Sequence, residues 1–490
     1  MNFRLLSKII GLLLLFLGLT QAICLGYAYR FDARHDQLDS VEGLSISVGI
    51  NLGACLLFLW MGRGSGREVL RKEAIAIVGS SWLICALFGS LPYMFSEPKM
   101  GFCDAFFESM SGFTTTGASI IDDLKVFPQG ILLWRCLTQW LGGMGILVLF
   151  VAVLSYLGAG SKALFRHESS AKEGGGLQAR IHNVAIRLWQ IYLFFSLLLF
   201  LGFLAFGMPV FDAVCHTFTT ISTGGFSPHN SGLGYYNNAF IEIWAMVFMV
   251  IGGVSFMLYA WLLRGRFDRW KKEEETKYFI GLLVLSILLL SFYNASVSGD
   301  LSLKQSFRYT SFQVVSLMTS SGFVIDDYDQ WPPFTIMFLV GLMLFGGCAG
   351  STTGGIKVSR WIVFFRTVRR ELNESFRPKV IRYVGLNGNN IDGEVQQQTM
   401  FFIAISAVLI GICALILSAL EPGLDVFTCL SGSIAMLMNI GPALGDLGPT
   451  ETYASLHPWT KVFLAILMAV GRLEIFAILV LFFPSLWRTY

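Results

Sequence analysis

Four short segments of this 490-residue chain combine hydroxyl or amide side chains with glycine, which suits the binding of a dehydrated cation. They are Thr115-Thr116-Gly117, Ser222-Thr223-Gly224-Gly225, Ser320-Ser321-Gly322 and Asn439-Ile440-Gly441. Glycine adopts positive φ without steric cost, so successive carbonyl oxygens can point the same way. A ring of such oxygens replaces the hydration shell of a cation. The segments carry no charge, which suits a monovalent ion that must leave quickly.

A repeated pattern surrounds these segments. Asp-Ala occurs thirteen residues before the glycine of the first segment and before the last glycine of the second. The run Ile120-Ile121-Asp122-Asp123 matches Val324-Ile325-Asp326-Asp327. Each glycine ends an apolar stretch too short to cross a bilayer, which needs about 20 residues. We therefore predict four copies of a unit made of helix, short helix, glycine loop and helix, the fourth being the weakest.

The composition indicates a membrane protein. The chain is 54% hydrophobic and only 14% charged, with a mean hydropathy of +0.64, whereas soluble proteins average about 25% charged residues. A net charge of +3 gives no reason to expect nucleic acid as a partner. Nine cysteines without a CxxC pair predict neither a zinc site nor a disulfide framework. No catalytic or nucleotide-binding motif occurs in the spans, so we expect neither an enzyme nor an organic cofactor.

Ten segments are apolar enough to cross a bilayer. They cover residues 5–28, 42–61, 73–95, 131–158, 184–207, 238–263, 277–295, 334–357, 398–420 and 460–485. We interpret the first as a transmembrane helix rather than a signal peptide, because no small-residue cleavage site follows it. Basic residues cluster in loops that ten crossings place on one side, notably Lys162 to Arg180 and Arg360 to Arg382. The positive-inside rule then puts both termini in the cytoplasm.

Loops at membrane depth have a direct consequence. Non-helical backbone there leaves N–H and C=O groups unsatisfied, so it is tolerated only within protein or along a water-filled path. The four short helices also aim their partly negative C-terminal ends toward that path. The sequence therefore predicts a cation pathway lined by backbone oxygens.

The eighth span contains five glycines among its eleven central residues, Phe345 to Gly355. Each glycine costs a helix about 1 kcal/mol relative to alanine. Two interpretations remain open, close helix packing through small residues and a helix that is broken here.

Two charged residues, Arg472 and Glu474, fall within the last span. Residues two apart do not face each other on a helix, so they are not expected to pair with one another. A structural ion pair at a helix interface stays possible for each. Outside the spans, Asp104 and Asp212 are expected to cap their short helices. The acidic pairs Asp122-Asp123 and Asp326-Asp327 either concentrate cations or form a solvated loop face.

The glycine segments resemble the filter segments of the TrkH/TrkG potassium-uptake subunits, in the superfamily that includes the Ktr and HKT transporters. Two further stretches share the resemblance, Trp140-Leu-Gly-Gly-Met-Gly-Ile146 and Gly346-Gly-Cys-Ala-Gly-Ser-Thr-Thr-Gly-Gly-Ile-Lys357. The resemblance covers nearly the whole chain. It implies an all-α integral membrane protein with two extra N-terminal helices and four helix–pore-helix–helix repeats around a pseudo-fourfold pore. We assign residues 1–65 to the extra pair and 66–160, 161–265, 266–385 and 386–490 to the repeats.

The resemblance also implies roles for single residues. The implied K⁺ filter consists of Thr115, Thr116, Gly117, Ser222, Thr223, Gly224, Gly225, Ser320, Ser321, Gly322, Asn439, Ile440 and Gly441. Adjacent glycines leave the register of the second segment open by one residue. The implied gate consists of Gly346, Gly347, Gly350, Ser351, Thr352, Thr353, Gly354, Gly355 and Arg472. The glycine-rich stretch would obstruct the pore beneath the filter, and Arg472 would repel cations there.

Partners and location are implied in the same way. They are K⁺, the lipid bilayer of a bacterial cytoplasmic (inner) membrane, a second copy of the chain, and a TrkA-like cytoplasmic ring that binds nucleotide. The implied function is gated K⁺ uptake. A K⁺ symporter coupled to H⁺ or Na⁺ is the alternative, although coupling usually uses titratable groups at the membrane midplane.

Overall fold

The computed structural model of the protein describes residues 2–32, 38–64, 71–156, 177–297, 302–377 and 383–484. Most of them are helical. The described strands form one short antiparallel pair, β1 (Gly385–Leu386) with β2 (Asn389–Asn390). Two long helices, α1 (Phe3–Phe31) and α2 (Leu38–Met61), precede the repeats and pack along each other.

The remaining helices form four repeats. The first contains α3 (Arg71–Gly89), α4 (Leu91–Phe95), α5 (Phe102–Phe113) and α6 (Gln129–Tyr156). The second contains α7 (Leu177–Ala205), α8 (Val210–Ile221), α9 (Ala239–Gly253) and α10 (Phe256–Leu262), and α11 (Phe267–Lys272) follows it. The third contains α12 (Glu275–Val297), α13 (Leu303–Met318), α14 (Pro333–Met343) and α15 (Val358–Phe376). The fourth contains α16 (Gly393–Leu420), α17 (Val426–Leu437), α18 (Pro458–Arg472) and α19 (Phe476–Leu479).

The short helices α5, α8, α13 and α17 are the pore helices, and their packing is cyclic. The helix after each pore helix contacts the pore helix of the next repeat: α6 contacts α8, α9 contacts α13, and α14 contacts α17. Helix α18 of the last repeat contacts α5 of the first and closes the circle. The four repeats therefore surround one axis, as the predicted fold requires.

Several predicted spans are not continuous helices. Among the described residues, six helices are long and apolar enough to cross a membrane, or seven if α9 and α10 count as one span bent by 91°. In the predicted span 334–357 only the first part is helical, since α14 ends at Met343 and residues 344–357 connect it to α15. The last predicted span is interrupted as well, because α18 ends at Arg472 and the following Glu474 and Ile475 have positive φ.

The capping prediction for two aspartates was wrong. Gly101 is the N-cap of α5 and Pro209 is the N-cap of α8, so Asp104 and Asp212 are each the third residue of their helix. Asp104 instead pairs with Lys461 of α18 at 2.7 Å. In the fourth repeat Asp425 is the true N-cap and accepts a hydrogen bond from the Thr428 N–H.

Candidate functional site

All four pore helices end in the same backbone conformation. The second residue after each helix is left-handed, with φ near +53° in a residue other than glycine. These residues are Thr115 (52°), Thr223 (54°), Ser320 (53°) and Asn439 (54°). The next N–H bonds back to the last turn in each case, from Thr116 to Ser111, Gly224 to Thr219, Ser321 to Ser316 and Ile440 to Ala435, at 2.8 to 2.9 Å. This is the Schellman ending of a helix, in which glycine usually occupies the left-handed position.

A glycine with positive φ follows two residues after each left-handed residue. These are Gly117 (84°), Gly225 (85°), Gly322 (71°) and Gly441 (99°). Gly225, and not Gly224, therefore occupies the position equivalent to Gly117. We call the segments Thr115–Gly117, Thr223–Gly225, Ser320–Gly322 and Asn439–Gly441 the four glycine loops.

The glycine loops contact one another in a closed ring. A β-carbon added to any of the four glycines would collide with a carbonyl oxygen of the next loop. The pairs are Gly117 with Gly224, Gly225 with Ser321, Gly322 with Ile440, and Gly441 with Thr116. The residues that the sequence singled out are therefore gathered around a common axis, and each glycine is required by space as well as by φ.

Most backbone oxygens of this ring accept no hydrogen bond within the described part of the chain. Of the twelve carbonyl oxygens in the glycine loops, Gly224 accepts from the Gln139 amide at 2.6 Å and Gly441 accepts from the Tyr453 hydroxyl at 2.9 Å. The other ten accept none from the part of the chain that the structure describes. Unsatisfied carbonyls at membrane depth need water or a cation, so the ring is suited to replace the hydration shell of an ion.

The side chains of the loops mostly brace the ring. The hydroxyls of Thr114 and Thr116 share a hydrogen bond of 2.7 Å, and the Asn439 amide donates to the Thr116 hydroxyl at 2.9 Å. Ser222, which the sequence placed in the filter, is the last residue before the loop and donates to Phe218 of its own helix. By contrast, the buried hydroxyls of Thr115 and Ser320 have no partner among the described residues.

Residues 344–357, which we call the intramembrane loop, separate α14 from α15. Its two ends are held together, since Gly346 donates to the Ile356 carbonyl at 2.9 Å. Within it, the Thr353 hydroxyl accepts from the Gly347 N–H at 2.9 Å and shares a hydrogen bond with Ser351. Gly350 and Gly355 have positive φ, of 75° and 68°. The stretch is thus a folded loop and not a helix–helix packing surface.

The intramembrane loop lies against the C-terminal ends of two pore helices. The Thr352 hydroxyl donates to the Ile221 carbonyl at 3.2 Å and accepts from the Thr223 hydroxyl at 3.3 Å. Gly355 donates to the Met438 carbonyl at 2.9 Å. A β-carbon at Gly354 would also collide with that carbonyl. The loop therefore contacts the second and fourth repeats next to their glycine loops.

The bend between α9 and α10 anchors the same loop. The Cys348 N–H donates to the Gly253 carbonyl at 2.8 Å, and the Thr352 N–H donates to the Gly252 carbonyl at 3.1 Å. On the other side, the Glu275 carboxylate accepts from the N–H groups of Ala349 and Ser359. The bend was not predicted from sequence, although Gly252 and Gly253 together were a signal for it.

Known proteins are similar to this chain in sequence and in architecture. The family described as "TrkH: Cation transport protein" matches residues 49–488. The chain belongs to the TrkH family. It is 36% identical to the Trk system potassium uptake protein TrkH of Salmonella typhimurium and 35% identical to that of Escherichia coli, over 100% of each chain. The crystal structure of the potassium transporter TrkH from Vibrio parahaemolyticus matches with a TM-score of 0.89 at 32% identity, covering 100% of both chains.

In this TrkH-family chain, Arg472 is a buried cation without a hydrogen-bond partner among the described residues. Arg472 is the last residue of α18 and is 5% exposed. None of its three guanidinium nitrogens has a hydrogen bond to a described residue. The preceding Gly471 lies against the Leu437 carbonyl at the end of the fourth pore helix. Glu474 pairs instead with Arg360 of α15 at 2.5 Å, so the structure contains no Arg472–Glu474 pair.

Three polar residues near the ring were missed as functional residues. Arg135 and Gln139 of α6 and Glu108 of α5 are all buried, and they contact the second glycine loop, the residues after it, or each other. A signal was present in the sequence, because polar residues inside apolar spans usually face a partner or a cavity.

Proposed function

We propose that this protein takes up K⁺ across a cytoplasmic membrane through a path on the axis of the four glycine loops. The observation that carries the proposal is the closed ring of loops, in which ten carbonyl oxygens accept no hydrogen bond from the described residues. Such oxygens compensate an ion for lost water, and the C-terminal ends of four pore helices add negative potential. The relatives in Salmonella typhimurium and Escherichia coli are potassium uptake proteins.

The same ring supports K⁺ as the preferred ion. Thr115 to Gly117 and the three equivalent loops offer neutral backbone ligands only, which bind a monovalent ion weakly enough for release. Glycine in all four loops keeps the carbonyls of adjacent loops close to one another. K⁺ is the cargo, and among the described residues no cluster of histidine, cysteine and carboxylate side chains is arranged to hold a resident metal.

We propose two gating elements beneath the ring. The intramembrane loop is attached to both the second and the fourth repeats, so a change in its position would alter the path between them. Arg472 would add a positive charge, and an unpaired buried charge acts over longer distances than a solvated one. Conduction through an opened gate is favoured over coupled transport. The carboxylate of Glu474, which the sequence placed within the last span, is 49% exposed and bound to Arg360, so it does not serve as a buried titratable group for coupling.

Partners and orientation belong to the proposal as well. We place both termini in the cytoplasm and expect a homodimer that is regulated by a cytoplasmic nucleotide-binding ring. The basic segment Arg360 to Arg382 would be one docking surface, and its residues 378–382 lie outside the described residues. Most of the second basic segment, Lys162 to Arg180, lies outside them too.

The direct test is flux through purified protein in liposomes. We expect K⁺ and Rb⁺ to enter faster than Na⁺. We also expect Rb⁺ uptake that is driven by an outward K⁺ gradient to continue when the proton gradient is abolished. A variant lacking residues 350–354 serves as a second sample in case the wild-type gate is closed. K⁺ entry no faster than in protein-free liposomes, in both samples, would contradict the proposal.

A further inference from the structure

Gln139 holds the second glycine loop through both atoms of its amide. It lies on α6 of the first repeat and is fully buried. Its nitrogen donates to the Gly224 carbonyl at 2.6 Å, and its oxygen accepts from the Phe226 N–H at 3.0 Å. A side-chain amide is both donor and acceptor, so one residue fixes the loop on both sides of Gly225.

Arg135 extends this contact one helical turn away. Residues four apart lie on the same face of a helix, and Arg135 also reaches the second repeat. It donates to the Ser227 carbonyl at 2.9 Å, and its guanidinium lies 3.5 Å from the centre of the Phe226 ring. Together Gln139 and Arg135 contact every residue from Gly224 to Ser227 except Gly225.

Glu108 fixes Arg135 in turn. Its carboxylate accepts from the Arg135 Nε at 2.5 Å, and both side chains are at most 3% exposed. The same carboxylate accepts from the Ile120 N–H at 3.0 Å, just after the first glycine loop. The residues Glu108, Arg135 and Gln139, which we call the filter brace, therefore link the first two loops of the ring.

The brace is specific to one half of the ring. Glu108 lies nine residues before Gly117, and the positions nine residues before the other loop glycines are His216, Gln313 and Gly432. His216 bonds the Ser227 hydroxyl at 3.1 Å and Gln313 donates to the Asp326 carbonyl at 3.2 Å. Gly432 has no side chain to offer. Among these four equivalent positions, only the first carries a charge.

We propose that Gln139, which holds the second loop beside the Arg135–Glu108 pair, is a positioning residue that determines how strongly the ring prefers K⁺ over Na⁺. This inference rests on the proposed function. A carbonyl oxygen has two acceptor lone pairs, so Gly224 can accept from Gln139 and still face an ion. Na⁺ is smaller than K⁺, and its coordination would require the loop oxygens to move inward. The bond from Gln139 to the Gly224 carbonyl opposes that movement directly, and the bond from the Phe226 N–H to Gln139 holds the chain on the other side of Gly225.

The test replaces Gln139 by a side chain of similar volume without hydrogen bonds, Gln139→Met. The matched control is Gln21→Met, because Gln21 is equally buried on α1 and accepts from Asn51 at 2.8 Å, away from the ring. Both variants and the wild type are reconstituted, and K⁺ and Na⁺ permeabilities are measured under bi-ionic conditions. Losing one net hydrogen bond predicts a fall in the K⁺/Na⁺ ratio of about fivefold for Gln139→Met, and no fall for Gln21→Met.

A second measurement covers the case in which a variant no longer conducts. The melting temperature of the purified protein is recorded in KCl and in NaCl, because an ion that binds only the folded state raises it. We expect the difference between the two salts to shrink in Gln139→Met and to persist in Gln21→Met. A wild-type ratio and a wild-type salt difference in Gln139→Met would overturn the inference. If the wild type itself neither conducts K⁺ nor distinguishes the two salts, the proposed function fails instead.

Discussion

The carbonyl oxygen of Thr116 lies against the α-carbon of Gly441, so the last glycine loop of the chain meets the first. These residues are more than three hundred positions apart in sequence. Their contact closes a ring that the other three loop contacts leave open. A substitution in any one loop is therefore expected to disturb its neighbour.

Gly117→Ser is expected to weaken the preference for K⁺ over Na⁺. The serine would be strained at a φ of 84° and would collide with the Gly224 carbonyl. Backbone strain of this kind costs about 1–3 kcal/mol, which corresponds to roughly a tenfold loss in the permeability ratio. Bi-ionic flux measurements check this, with Gly281→Ser as control because a β-carbon at Gly281 would lie more than 4 Å from the other described residues that pack around this helix. An unchanged ratio in Gly117→Ser would count against the filter assignment.

Deleting residues 350–354 is expected to raise basal K⁺ flux, because the intramembrane loop would lose the hydrogen bonds of Thr352 to Ile221 and Gly252 in the second repeat. Flux that falls in a correctly inserted deletion variant would argue against a gate.

A milder change in the intramembrane loop tests the same contact. Thr352→Val removes the hydrogen bonds to Ile221 and Thr223 while keeping the shape of the side chain. Its basal flux should lie between those of the wild type and the deletion. The control is Thr399→Val, since Thr399 donates only to its own helix.

Arg472→Ala is expected to increase single-channel K⁺ current severalfold, because a cation without a hydrogen-bond partner among the described residues is removed from the region beneath the ring. Arg472→Lys keeps the charge and should stay near the wild-type current. The alanine variant should also melt at a higher temperature, since burying an unpaired charge costs several kcal/mol. Equal currents in the wild type and Arg472→Ala would favour a purely structural role.

Asp329→Asn is expected to remove part of the pH dependence of stability. Burial raises the pKa of Asp329 to about 6, the Gly445 N–H opposes this rise, and the charges of Asp327 and Glu451 add to it. Because the pKa of Asp329 is higher in the folded state, its protonated carboxyl contributes stability that is fully present below the unfolded pKa of 3.8. This contribution is lost as the pH rises through the folded pKa of about 6. Asparagine keeps an acceptor for Gly445 without ionising.

Melting temperatures from about pH 4 to about pH 8 test this prediction. The wild type should lose stability across that window relative to Asp329→Asn. Asp446→Asn, which changes an exposed carboxylate near Gly445, is the control. Parallel curves for the wild type and Asp329→Asn would contradict the prediction.

Local pattern was enough to predict the repeats and the loop residues. A short apolar run ending in Thr-Thr-Gly or Ser-Ser-Gly predicts a helix that stops, because the glycine and the polar residues before it favour a tight ending. Long apolar runs predict spans by length alone. The four repeats could be inferred in this way, whereas the two extra helices followed from the family resemblance. The TrkH-family match agrees with both.

Packing between repeats decided the rest. Gly225 rather than Gly224 meets the next loop, through its contact with Ser321. Asp104 pairs with Lys461 and Glu474 pairs with Arg360, and both partners are far away in sequence. Sequence by itself determined where the four pore helices stop, because that depends on neighbours along the chain. Only the tertiary structure decided which carbonyl meets which glycine and which buried amide braces them, because those contacts join segments 85 or more residues apart.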